Sequence, residues 1–317
     1  MNIYDSITRF GWSGYAADAA AAGGSVFYVD INSGNAANSA VEGQGASWDK
    51  PFSTVNYAIS RCSNDAGDII LIAANHAETI ADTNDNNVSG TTTDEFCVDK
   101  AGITIIGLGV GTRRPKFTLA GATDACIDIR NSNCSMYNLV FYNTIDANVA
   151  MMDVQAGAHG FTLDNCMFYA SANDAEAAVQ IILTTGLTDV TIRGCRFYNV
   201  AGGDLSLCSI DCEGAVTRLK LYDNIWRGDW NEHVVDADTA AGYDWEVINN
   251  AMNNLDASAG LTLTVHASTT GVCINNLHHG GKDGTAPNAT AGMLTAQNYY
   301  TNVEAASAAI LNPATDS

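Results

Sequence analysis

One short pattern recurs along most of this chain and limits what it can fold into. Each copy is an apolar alternation, then Asn, Gly or Asp, then Cys or Asn, with an aromatic residue two positions on. Copies lie at 136–141, 162–168, 191–197, 220–226, 246–252 and 272–278, with degenerate ends such as Met252 and His278 and a weaker copy at 294–299. From Phe141 the anchors step by 27, 29, 29, 26, 26 and 21 residues, and 104–110 reads as a further copy, 31 residues upstream of Phe141. Between them lie strands with period-two alternation at 126–130, 151–155, 179–183, 209–213, 233–237 and 261–265. Helical repeats of similar length need a 3.6-residue period, and leucine-rich repeats need several Leu at fixed offsets. Two or three short strands per repeat describe one rung of a parallel β-helix, in which each rung buries its open face against its neighbours.

The expected fold is therefore all-β, a solenoid of about 7–9 coils. Its parts would be an N-terminal arm (1–24), the β-helix (25–300) with a helical cap at about 53–62, and a C-terminal cap or tail (301–317). Equivalent strands would stack about 4.8 Å apart. That places Cys166, Cys195, Asn224, Asn250 and Asn276 in one inward corner column, where stacked amides can satisfy buried polar groups. The aromatic two residues later would form a stack inside. These residues read as fold-forming.

Charge then excludes some partners. Lys+Arg total 14 against Asp+Glu 35, a net charge of −21, which opposes nucleic-acid binding and recruitment to anionic membranes. With 47% hydrophobic residues, the chain can bury enough apolar surface to offset its ordering entropy. No window approaches an apolar membrane span of about 18 residues, and no signal peptide is expected. The nine cysteines lack zinc-like spacing and read as small buried hydrophobes of a chain assembled in a reducing cytoplasm.

The N-terminal part reads differently. Tyr28-Val-Asp is a short strand, Ser53 is a plausible N-cap for the helix, and Ile69-Ile-Leu-Ile72 is a strand buried on both faces. The helix would cover the open edge of the first rung. The order Tyr28-Val-Asp, Lys50-Pro-Phe52-x-Thr54, Ala58-Ile, Gly67-Asp68 and Ile70 resembles the N-terminal cap of pectate-lyase-like right-handed parallel β-helix proteins. Many of those carry Pro-Gly-x-Tyr-x-Glu where this chain has Ala74-Asn-His-Ala-Glu-Thr-Ile80. The His-Ala-Glu-Thr variant is similar to β-helix proteins encoded by tailed bacteriophages. The resemblance implies the right-handed fold and a place in the virion; its fold also hosts lyases, hydrolases and inert scaffolds.

Two constellations invite chemistry. His76 and Glu78 share a strand face and could act as base and carboxylate, although decorating the surface or capping a turn is the simpler role. Asp128, Asp153, Asp211 and Asp236 each lie between two inward apolar residues, so they should form an outward column with Ile182 as its middle rung. That column could be solvated, hold a divalent cation such as calcium, meet a partner, or serve as paired catalytic carboxylates. Outward aromatics of a glycan groove are not evident, polygalacturonase-type signatures do not occur, and 278–283 matches no motif. No catalytic residue is assigned. Tyr4, Phe10, Trp12 and Tyr15 read as anchors for a partner, with an arm folded onto its own body as the alternative.

The function expected is that of a non-enzymatic virion structural protein, most specifically a capsid decoration protein. Its partners would be capsid or other virion proteins, further copies of itself, and a surface glycan. The alternative is a polysaccharide lyase or glycoside hydrolase acting on a host glycan.

Overall fold

The structure is a computed structural model that describes residues 23–81, 96–121, 125–170, 176–199, 206–256, 260–280, 288–289 and 292–301. Its strands form a right-handed parallel β-helix of three sheets. A ten-stranded sheet runs from Val26–Val29 to Leu294–Ala296, a nine-stranded sheet from Ala77–Ile80 to Tyr299–Thr301, and an eight-stranded sheet from Phe96–Val98 to Asn288–Ala289. Among the described residues no helix is long and apolar enough to cross a membrane. The nine cysteines form no disulfide with one another, and eight are buried.

The repeat's Asn/Gly/Asp position has a backbone cause. At the corner between the ten- and nine-stranded sheets, Asn138, Asn165, Gly194, Asp223, Asn249, Asn275 and Gln297 all have φ between 53 and 61°. Gly, Asn and Asp tolerate this left-handed region best. The turn aims the next residue inward, and the expected column forms there. Asn224 N–H donates to Asn250 Oδ1 (3.0 Å), Asn250 N–H to Asn276 Oδ1 (2.9 Å), and Asn276 N–H to Asn298 Oδ1 (2.8 Å). Cys195 N–H joins through Asn224 Oδ1 (2.9 Å). Two residues on, Phe141, Phe168, Phe197 and Trp226 stack with centroids 4.8, 5.2 and 4.9 Å apart. Trp226 Nε1–H donates to Ser209 Oγ (2.9 Å), so its polar edge is satisfied inside the core.

Two anchors shift. Val110 is 61% exposed, and Phe117 pairs with Phe141 in the stack instead, because a 3-10 turn at Gly111–Arg113 lengthens that corner. At the other end the inward aromatic is Tyr300, which stacks on His278 at 5.2 Å; Tyr299 points outward.

The cap helix spans Val55–Arg61 and buries Val55, Ala58 and Ile59. Its N-cap is Thr54, one residue beyond Ser53: Thr54 Oγ1 accepts from Tyr57 N–H at 3.3 Å. Asn56 Oδ1 accepts from Cys97 N–H (3.2 Å) on the first strand of the eight-stranded sheet, so the helix satisfies part of an edge that would otherwise be open. The residues Tyr4, Phe10, Trp12 and Tyr15, and the segment 302–317, lie outside the described residues.

Candidate functional site

The carboxylate column sits on the outer face of the eight-stranded sheet, each Asp between two buried residues such as Ile127 and Ile129 or Ile210 and Cys212. The register brings Asp128 beside Asp153 and Asp211 beside Asp236, with Ile182 between the pairs. The two pairs differ. Asp128 lies in the outward column but is only 2% exposed, so the solvated role does not hold for it: Arg130, two residues on and on the same face, forms an ion pair with it, and Cys126 contacts it. Burial pushes the Asp128 carboxyl above its usual range despite that cation. Asp153 accepts from Gln155 Nε2 (2.6 Å) and is pushed up to about 6, by burial first and then by the charges of Asp128 and Glu213.

The second pair has no cation across it among the described ion pairs. Asp211 is pushed up to about 6, by burial and then by Asp236, Glu213, Glu232 and Asp238. Ligand atoms of His233, Asp236 and Asp238 lie within 4.8 Å of one another, so these residues could hold a cation. His233 and Asp238 were not part of the column read from the sequence. The spacing Asp236-x-Asp238 was the available signal for one of them; His233 joins from the start of its strand.

His76 and Glu78 share a face, but it is the inner one. Both are buried, and His76 Nε2 lies 2.5 Å from Glu78 Oε1. Ile31 N–H donates to His76 Nδ1 (3.0 Å), so the ring carries its hydrogen on Nε2 and donates a hydrogen bond to Glu78 Oε1. Glu78 Oε1 also accepts from Val55 N–H (2.8 Å), the first residue of the cap helix. The surface-decoration reading is thus corrected: the pair ties strand, loop and helix together. His278 is likewise interior, accepting or donating at Thr262 Oγ1 (2.8 Å), and burial lowers it to about 3.

The outer face of the nine-stranded sheet was not foreseen. One row runs Ala77, Lys116, Val140, Met167, Arg196, Ile225, Ala251, Leu277 and Tyr299. Beside it Tyr142 stacks on Tyr169 (4.5 Å), with Lys116 Nζ 5.1 Å from the Tyr142 ring centre. The signal was present as Phe-Tyr at 141–142, 168–169 and 197–198, whose alternation sends Phe inward and Tyr outward. A groove of about 550 Å³ opens over the N-terminal half of this row.

Neither a protein-family model nor a curated protein matches the chain. Among solved structures, the crystal structure of pectate lyase Pel9A is similar over 91% of this chain and 83% of its own, at 13% identity and a TM-score of 0.47. The fold therefore rests on the strand register described above.

The half-buried Asp211 gives a pH-dependent expectation. Its raised pKa means that ionising it costs more in the folded than in the unfolded state. That penalty is absent below about pH 4, grows to about pH 6 and stays constant above. Asp211→Asn should therefore stabilise the protein at pH 8 by roughly 1 kcal/mol after allowing for solvent screening, or about 2 °C in Tm. The gain should vanish at pH 4. Thermal melts at both pH values check this, and an equal shift at each would refute it.

Proposed function

We propose that this chain is a non-enzymatic structural protein of a tailed-bacteriophage virion, and specifically a decoration protein on the outside of the capsid. The observation that carries this reading is the C-terminal half of the outward row. Ile225, Leu277 and Tyr299 are 41, 42 and 40% exposed along one line of a stiff solenoid. Large apolar side chains ordered on one outer face suit a partner-facing surface, and the −21 charge keeps neighbouring particles apart. The same row suits contact with capsid proteins or with further copies of the chain. The commitment of His76 and Glu78 to the cap supports a scaffold role.

The test is placement in purified particles by mass spectrometry and cryo-electron microscopy. A symmetric, stoichiometric position on the capsid exterior is expected, and Ile225→Lys with Leu277→Lys should abolish rebinding to stripped particles. Absence from the particles would overturn the reading. A second reading, a lyase or hydrolase of a host glycan, draws on Asp211 held near neutrality beside Asp236. Cleavage of a host polysaccharide in the presence of calcium, lost in Asp211→Asn, would establish it instead.

A further inference from the structure

We infer that the groove on the nine-stranded sheet binds an anionic saccharide, a sugar bearing a carboxylate, sulfate or phosphate, without cleaving it. In a chain with 35 acidic and 14 basic residues, this groove is lined by Arg114, Lys116 and Arg196 and, among the described residues, by no acidic one. A contiguous hollow shares Gly111, Arg114 and Arg196, and no described residue that lines it is acidic. Of the other described cations, Lys100, Arg130, Arg193, Arg218 and Lys220 each pair with a carboxylate, while Lys50, Arg61, Arg113 and Arg227 form no described ion pair but line neither hollow. None of the three groove cations pairs with a carboxylate among the described residues. Cations left unpaired together in so acidic a protein mark a place for an external anion.

The arginine is also pre-positioned. Arg114 leaves the lengthened corner after the Gly111–Arg113 turn and reaches across two rungs. It donates to Asn165 O (3.0 Å), Gly111 O (3.4 Å) and Met167 Sδ (3.3 Å). Asn165 is itself held, its Nδ2 donating to Asn138 Oδ1 (3.0 Å). With three of the five guanidinium N–H donors engaged, two remain for a ligand while the side chain stays fixed, so little entropy is lost on binding. Lys116 is likewise steadied over Tyr142.

The rest of the lining narrows the class. Val140, Met167 and Tyr169 supply an apolar wall against which the C–H face of a sugar ring can pack, and Thr112 and Asn75 supply polar groups for hydroxyls. A volume of about 550 Å³ falls within the range of small-molecule sites. A bare inorganic ion would use the cations and leave the apolar wall empty. The site lies on a different sheet from the carboxylate column, and the inference is independent of where the protein resides.

Isothermal titration at about 0.1 M salt, where screening beyond about 10 Å removes repulsion from remote acidic faces, tests it. The probes are trigalacturonate, a sulfated disaccharide and glucose 6-phosphate, with maltotriose and sodium sulfate as controls. At least one anionic sugar should bind with Kd below about 1 mM, and both controls at least about tenfold more weakly. Arg196→Gln with Lys116→Gln, both outward on the sheet, should weaken binding about tenfold to a hundredfold with an unchanged melting curve. Asp211→Asn should leave it intact. The inference is overturned if no anionic sugar binds at about 10 mM, if sodium sulfate or maltotriose binds equally well, if the double variant binds normally, or if Asp211→Asn abolishes binding.

Discussion

Replacing Asn250 by Ala is expected to cost the fold about 3–5 kcal/mol, because one amide serves several buried groups that have few alternatives. Asn250 Nδ2 donates to Leu221 O (2.8 Å) and Asn276 Oδ1 (3.0 Å), while its Oδ1 accepts from Asn224 N–H (3.0 Å) and Asn224 Nδ2 (3.1 Å). Its side chain is buried, so water cannot take over without opening the corner. Each buried donor or acceptor left without a partner costs about 1–3 kcal/mol, and the missing volume adds a cavity term. The neighbouring Asn249 is the control. It has φ 60° and an exposed side chain whose Oδ1 accepts from Asn275 Nδ2 (2.7 Å) where water can replace it, so its main contribution is the left-handed backbone that Gly also adopts. Asn249→Gly should change stability by less than about 1 kcal/mol. Urea denaturation of both variants separates the roles of two adjacent asparagines. A loss below about 1 kcal/mol for Asn250→Ala would mean that the amide column is not a stabilising element.

That contrast also shows why the fold was legible and parts of the candidate sites were not. A solenoid repeats its demands once per rung, so the left-handed corner, the inward Asn and the stacked aromatic leave a periodic trace. The Asp column was legible for the same reason, since Asp128, Asp153, Asp211 and Asp236 fall on one register line. What escaped is what breaks the period. The turn at Gly111–Arg113 moved the anchor from Val110 to Phe117. The groove joins that turn to residues from other rungs, such as Arg196 and Tyr169, with no linear motif. Alternation puts Asp128 on the outer face but does not give what folds over it, here Arg130. Spacing likewise put His76 and Glu78 on one face but could not say that the face was the inner one.

Substituting Glu78 is expected to have the other large effect, and to reach beyond the local contact. Its Oε1 accepts from Val55 N–H and His76 Nε2–H, both from buried residues. Glu78→Ala strands both donors, which should cost about 3–5 kcal/mol. His76 would then also hold Ile31 N–H less firmly, loosening the loop that precedes the helix. With the helix start detached, Asn56 no longer covers Cys97 N–H, and the first strand of the eight-stranded sheet becomes an edge able to pair with another chain. The variant should therefore melt earlier and also self-associate at concentrations where the parent does not. Glu78→Gln keeps an amide oxygen that can accept from both donors but loses the charge that strengthens these bonds, and should lose about half as much. Denaturant titration gives the energies and sedimentation velocity the association. A Glu78→Ala protein that is less stable yet monodisperse would show that other contacts cover the edge, and one of parental stability would remove the pair from the architecture of the cap.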